Sequence, residues 1–174
     1  FCDRCKNATL GINIDEDHLL NYYSRYYKRN NPSDDRRKAT KELHGRFLGS
    51  LLNKKSVILE IGAAEGLVAE YLANKGHCVY VYEPSSLQEN IKENGNLFVV
   101  DNVDNLNVKF DVIYLHHVLE HICNPANFLK KTNTLLANNG ILFIQVPDFS
   151  LQFKLLNNIA NKYFIYTLFN HPLF

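Results

Sequence analysis

Apolar positions along this chain come in short uninterrupted runs that alternate with segments of helical spacing. The run SVILEIG, Ser56 to Gly62, is brief, apolar and closed by glycine, the pattern of a strand buried on both faces. HCVYVYEP, His77 to Pro84, predicts a second strand, NLFVVDN a third, FDVIYLHH a fourth, and NNGILFIQVP a turn followed by a fifth. Helical signals lie around and between them. Ser33 is placed to cap a helix running to about Leu52, with Leu43, Phe47 and Leu51 recurring at helical spacing. A helix over Leu67 to Asn74 meets its stop at Gly76, and Ser85 with Gln88 has the spacing of a capping box. Asn124 and Pro125 supply a cap and a first-turn proline to a further helix, whose buried side is Phe128, Leu129, Leu135 and Leu136.

Strands that alternate with helices predict an α/β fold, a Rossmann-like, doubly wound, mostly parallel sheet with helices on both faces. Ligands of such sheets sit beyond the carboxyl ends of the strands, near the point where strand order reverses. Glu60, Gly62, Glu83, Asp101, Asn102, His116, His117, Pro147 and Asp148 all fall at strand ends. Three regions differ in texture: 1–31 with a cysteine pair and an aromatic-rich run, a core over 32–148, and an aromatic, Asn-rich segment over 149–174.

Composition narrows the function classes. A chain of 174 residues, 46% hydrophobic and 21% charged, can bury one good core. Its formal net charge of +1 provides no overall field for nucleic acid or an anionic membrane, which favours small-molecule chemistry. No apolar run reaches the roughly 18 residues of a membrane helix, and the first residues lack a signal-peptide core, so a cytoplasmic location is expected. Of four cysteines only Cys2 and Cys5 share a motif, and no disulfide framework is expected in a reducing compartment. The chain has no methionine, not even an initiator, and is expected to be a fragment or a processed product.

EIGAAEG, Glu60 to Gly66, joins the first strand to its helix. Gly62 permits a tight turn with close approach of a ligand to backbone N–H groups, and Gly66 lets the helix begin close to the strand. The same small residues would also serve plain strand-to-helix packing. Glu83, about 20 positions further on at the end of the second strand, is placed to accept hydrogen bonds from ribose hydroxyls, or to face the helix start ahead of Ser85. The loop reads G-x-A-x-G and departs from the dinucleotide fingerprint G-x-G-x-x-G. That disfavours NAD and suits an adenosyl ligand with no pyrophosphate.

The two stretches VILEIGAAEGLVAEYLANKGHCVYVYEPS and FDVIYLHHVLEHICNPANFLKKTNTLLANNGILFIQVPD together resemble class I S-adenosylmethionine-dependent methyltransferases, especially the branch of ubiquinone-biosynthesis-type and nucleotide-sugar methyltransferases. The resemblance implies S-adenosylmethionine as cofactor. Glu60, Gly62, Ala64 and Gly66 occupy the family's cofactor loop around the methionine end of the ligand, and Glu83 matches the acid on the ribose. Asp101 and Asn102 match the adenine side, while Leu115 and His116 match the segment that lines the cofactor. Ala64 departs from the glycine of many members.

FCDRCKNATLGINIDEDHLLNYYSRYY is similar to the second half of a zinc-binding module in some sugar-methylating relatives. A structural zinc site needs four ligands and Cys2 with Cys5 supplies two, so this chain is expected to hold at most half a site. Family members end with two further strands, and none is evident after Asp148. Those strands are expected to be missing from this chain, with 149–174 forming a substrate-side cover.

LHHVLEHICNP, Leu115 to Pro125, concentrates three histidines beside a glutamate. Their spacing does not by itself create three or four convergent metal ligands. If the methyl acceptor must lose a proton, histidine is the suitable base near neutral pH, and the order of preference is His121, His117, His171. Glu120 is placed to orient a histidine or to face solvent, and a structural role for any one histidine stands beside the catalytic one. Tyr22, Tyr23, Tyr26 and Tyr27 can close over the ligand, with cation–π contact to a sulfonium, or pack as core residues. The expected function is methyl transfer to a small-molecule acceptor such as a nucleotide sugar or polysaccharide precursor. A degenerate methyltransferase-like binding domain and an NAD-dependent oxidoreductase are the alternatives. Glu83→Ala is expected to weaken adenosyl-ligand affinity with little loss of folding.

Overall fold

A computed structural model describes residues 15–26, 35–52 and 54–146. Two helices, α1 (Glu16–Tyr26) and α2 (Asp35–Ser50), precede β1 (Val57–Ile61), α3 (Leu67–Asn74), β2 (Cys78–Tyr82), β3 (Leu97–Val99), β4 (Phe110–His116), α4 (Pro125–Leu135) and β5 (Leu136–Gln145). Short 3-10 turns occupy Ser86–Asn90, Val103–Asn105 and Leu119–His121. All five strands pair in parallel in the order β3-β2-β1-β4-β5, as the alternation of strands and helices predicts. The switch point therefore lies between the carboxyl ends of β1 and β4, with β2 on the other flank of β1.

Period-two alternation divides the core. Ile58, Val79, Val81, Leu97, Val112 and Tyr114 meet Leu48 of α2 and Val68, Ala69, Leu72 and Ala73 of α3. On the other face Leu59, Ile61, Ile113 and Leu115 meet Phe128 and Leu135 of α4. Burying such side chains stabilises the fold by roughly 1.5–3 kcal/mol each.

Local chemistry sets the element ends. Gly76, at φ 87°, donates to the Ala73 carbonyl at 2.9 Å while His77 donates to Leu72 at 3.2 Å, which completes a Schellman stop for α3. Asn124 Oδ1 accepts the Asn127 N–H at 3.1 Å and Pro125 opens α4. Ser85 does cap, accepting the Leu87 N–H at 3.3 Å, but it opens a 3-10 turn rather than an α-helix. Ser33 lies outside the described residues.

One expectation about packing is overturned. In α2 the side turned to the core carries Lys41, Gly45 and Leu48, whereas Leu43, Phe47 and Leu51 are exposed. A helix presents only one stripe to a sheet, and Gly45 wins because a Cβ there would sit 2.6 Å from the Tyr71 ring of α3. In α4 the expected side does face the core, with Phe128 and Leu135 packed on it; Thr132 is buried beside them, its hydroxyl returning to the Phe128 carbonyl at 2.8 Å, and Leu136 packs on the same core as the first residue of β5. The predicted turn before the fifth strand is a register shift inside β5, between the pairs Phe110–Leu136 and Val112–Ile141, with Asn139 left-handed at φ 65°. Among the described residues no helix is long and apolar enough to cross a membrane.

Candidate active site

The turn after β1 is built from left-handed residues. Gly62, Ala64 and Gly66 have φ of 72°, 56° and 71°, and Gly66 caps α3, accepting the Glu70 N–H at 2.8 Å. At Gly62 a side chain is excluded twice, by this φ and by Val118 Cγ2, which occupies the space where a Cβ would stand. The loop after β4 is thereby laid directly on the loop after β1. Ala64 accepts its conformation because Glu83 holds its backbone.

Glu83, buried at the end of β2, accepts the Ala64 N–H at 2.7 Å through Oε2 and the Ser85 N–H at 2.9 Å through Oε1. Of the two readings of this carboxylate, the one that faces the start of the turn at Ser85 is what these bonds show, and the carboxylate also organises the loop after β1. Each oxygen retains a second acceptor position.

Glu60, near the end of β1, is 2% exposed, and its Oε2 has no hydrogen-bond partner among the described residues. Burial pushes its carboxyl up to about 7, against the opposing charge of Lys41 on α2. An orphaned carboxylate oxygen beside a glycine loop is a costly arrangement that a cationic or donor ligand would relieve.

Lys41, His44 and Tyr114 were not singled out by the sequence, and they join His116 on the α2 side of the sheet. Lys41 Nζ lies 3.0 Å from His116 Nδ1, and the His44 and His116 rings meet edge to face at 4.4 Å. Tyr114 Oη is 3.4 Å from His44 Nδ1. Burial, followed by the charges of Lys41 and His117, lowers the His44 pKa, and burial together with the Glu60 charge raises that of Tyr114. Lys41 and His44 sit in a charged helical stretch and Tyr114 in an apolar run, so only helix-to-sheet packing reveals the group.

Past the end of β4, His117 is left-handed at φ 57° and donates its N–H to the Gln145 carbonyl at 2.9 Å. Its Nδ1 is 3.2 Å from Glu120 Oε1, and His121 Nε2 is 4.0 Å from the same oxygen. The structure thus brings together Glu60, Gly62, Ala64, Gly66 and Glu83, with His116, His117 and His121 on the neighbouring loop. Leu115 packs wholly inside the α4-side core. Asp101 and Asn102 are exposed beyond β3, where Asn102 Oδ1 accepts the Asp104 N–H at 2.8 Å. Tyr22 is exposed on α1, and the side chains of Tyr23 and Tyr26, like Tyr27, His171, Cys2 and Cys5, lie outside the described residues. No group of three or more metal-ligating side chains is found among the described residues.

Comparison with known proteins agrees with this architecture. The chain is 28% identical over 128 residues to a ubiquinone biosynthesis O-methyltransferase of Actinobacillus pleuropneumoniae serotype 5b (strain L20), covering 65% of this chain and 54% of that protein. It is 28% identical over 119 residues to the protein of the same name from Caulobacter vibrioides, covering 61% and 46%. The chain spans about half the length of these curated relatives. Its fold resembles magnesium protoporphyrin IX methyltransferase from Synechocystis PCC 6803, solved with bound SAH, at a TM-score of 0.62 and 16% identity, covering 83% of this chain and 78% of that one. The family model described as "Methyltransferase domain" matches residues 33–168, which take in every described element from α2 to β5. With that match over the parallel sheet and both of its loops, the chain belongs to the methyltransferase domain family.

Proposed function

We propose that this domain binds S-adenosylmethionine at the carboxyl ends of β1, β2 and β4 and transfers its methyl group to a hydroxyl of a small-molecule acceptor. The observation that carries the reading is the buried Glu60 carboxylate with its orphaned Oε2, beside a loop of three left-handed residues fastened by Glu83. These residues fit the group chemically. Glu60 and Lys41 offer opposite charges to the zwitterionic amino-acid end of such a ligand, and the remaining acceptor positions of Glu83 suit ribose hydroxyls. Gly62 and Gly66 keep the loop backbone close to the sheet; in this reading Asp101 and Asn102 stand on the adenine side and His116 lines the cofactor, while the buried Leu115 supports that segment from the core.

S-adenosylmethionine, when bound, supplies an electrophilic methyl carbon on a sulfonium. The chain's own work is then alignment and proton handling. Placing an acceptor in line with that carbon accounts for much of the acceleration. A hydroxyl acceptor must also lose its proton, and the histidines after β4 are suited to take it near neutral pH. The side chain of His117 is 36% exposed and that of His121 17%, which favours His117 as the group that meets the acceptor.

The finer reading of the acceptor, a nucleotide sugar or another polysaccharide precursor, is supported by the likeness of the first 27 residues to sugar-methylating relatives. The names of the curated relatives add oxygen as the methylated atom. Calorimetric titration with S-adenosylhomocysteine, alongside NADH, tests the cofactor. Saturable binding of the former alone is expected; binding of NADH alone would replace this reading with an oxidoreductase. Cofactor binding with no turnover across hydroxylated acceptors would leave a binding module.

A further inference from the structure

We propose that Glu120 is a positioning residue that locks His117 in the Nδ1–H tautomer, so that Nε2 is the atom that takes the acceptor's proton; this rests on the methyl-transfer reading above. A carboxylate oxygen accepts and does not donate, so the 3.2 Å contact between Glu120 Oε1 and His117 Nδ1 requires the hydrogen on Nδ1. The lone pair of the neutral ring is then on Nε2.

Three features make this a built arrangement rather than a surface pairing. The Glu120 side chain is only 13% exposed, and its Oε2 is buried with no hydrogen-bond partner among the described residues, where the contact of Oε1 with His117 is its one short side-chain contact. His117 is held at φ 57°, a conformation that costs a non-glycine residue about 1–3 kcal/mol, by its N–H bond to Gln145 of β5. The left-handed turn and the 3-10 turn after it bring positions 117 and 120 onto one side, over the loop where Gly62 gives way to Val118.

Other imidazoles and a lysine surround this pair. His116 meets it edge to face at 4.3 Å, and α2 contributes His44 and Lys41, the latter at 3.0 Å from His116 Nδ1. His121 Nε2 lies 4.0 Å from the same Glu120 oxygen, beyond hydrogen-bond distance. In the step itself the acceptor oxygen bonds to the methyl carbon while the carbon–sulfur bond breaks and its electron pair stays on sulfur. The hydroxyl proton passes to His117 Nε2, and the imidazolium so formed keeps its Nδ1–H on the Glu120 carboxylate.

The test is the nitrogen spectrum of the 15N-labelled protein at about pH 8.5, above the imidazole range. His117 is assigned by the signals lost in His117→Gln. In the wild-type protein Nδ1 is expected in the protonated region and Nε2 in the unprotonated region, and Glu120→Leu is expected to convert this to a mixture of both tautomers. A wild-type Nε2–H tautomer, or an Nδ1–H tautomer unchanged in folded Glu120→Leu, would overturn the proposal; if that variant does not fold, the wild-type spectrum decides alone. S-adenosylhomocysteine titrated into the same samples separates the two readings. Binding with the wrong tautomer removes the role of Glu120 only. The expected tautomer without binding removes methyl transfer, and with it the proton-accepting role of His117.

Discussion

Glu83 reaches from the end of β2 to accept the backbone N–H of Ala64 at 2.7 Å, tying the second strand to the loop that follows the first. The sequence alone suggested that its loss would spare folding. The contact corrects this, since Glu83→Ala leaves two buried N–H groups, of Ala64 and Ser85, without an acceptor. Each costs about 1–3 kcal/mol. Urea titration should show a loss of this order, and calorimetry a weakened S-adenosylhomocysteine affinity. Glu83→Gln, whose amide oxygen still accepts, should recover part of the stability.

Glu60 makes the fold lose stability as pH rises from about 4.5 to about 7. Its folded pKa of about 7 stands above the ordinary 4.5, so the contribution it makes to stability is complete below about pH 4.5 and is lost as pH rises through 7. Glu60→Gln should therefore be more stable than wild type at pH 8, by up to about 3 kcal/mol at about 1.4 kcal/mol per pH unit, with the difference shrinking toward pH 5. Equal urea midpoints of the two proteins at pH 8 would count against a buried Glu60 carboxylate. Ligand affinity should fall in the same variant, the usual exchange of function for stability at a strained site.

His77 acts in the opposite direction. Burial lowers its pKa below 6.5, and its Nδ1 accepts the Ser56 N–H at 3.2 Å, which requires that nitrogen to be unprotonated. A base with a depressed folded pKa contributes stability that is intact above about 6.5 and is lost as pH falls through the folded value. His77→Gln, which retains an acceptor, should flatten the decline of the thermal midpoint between pH 7 and pH 5. An unchanged decline would place the acid sensitivity elsewhere.

Gly62→Ala combines a left-handed φ with a collision against Val118. The backbone alone costs about 1–2 kcal/mol, and displacing Val118 moves the segment that carries His117. Expected are a lower urea midpoint and loss of S-adenosylhomocysteine binding; a variant of wild-type stability and affinity would mean the two loops are not in contact.

On α2 the orientation can be read by truncation. Leu48 is 3% exposed and Leu43 63%, so Leu48→Ala should cost about 2–5 kcal/mol and Leu43→Ala less than about 0.5 kcal/mol. Comparable losses at both positions would place Leu43 in a buried interface.

The sequence by itself determined the alternation of strands and helices from α2 onward, the tight glycine turn between β1 and α3, the stop of α3 at Gly76 and the Asn124–Pro125 start of α4. These depend on local properties: a short apolar run, a glycine that tolerates positive φ, a side chain that caps its own turn. It also placed Glu60, Glu83 and the histidines at strand ends, because in a parallel sheet chain direction alone fixes which end is which. Tertiary structure decided what chain order does not encode. The buried face of α2 depended on the room Gly45 leaves for Tyr71 of α3, and that Ser85 opens a 3-10 turn rather than an α-helix is not encoded in its capping residue. Lys41 and His116, 75 positions apart, became neighbours only when helix and sheet closed on each other. Hydrophobic periodicity specifies a helix and a strand, but the distance between two polar side chains is set by how those elements pack.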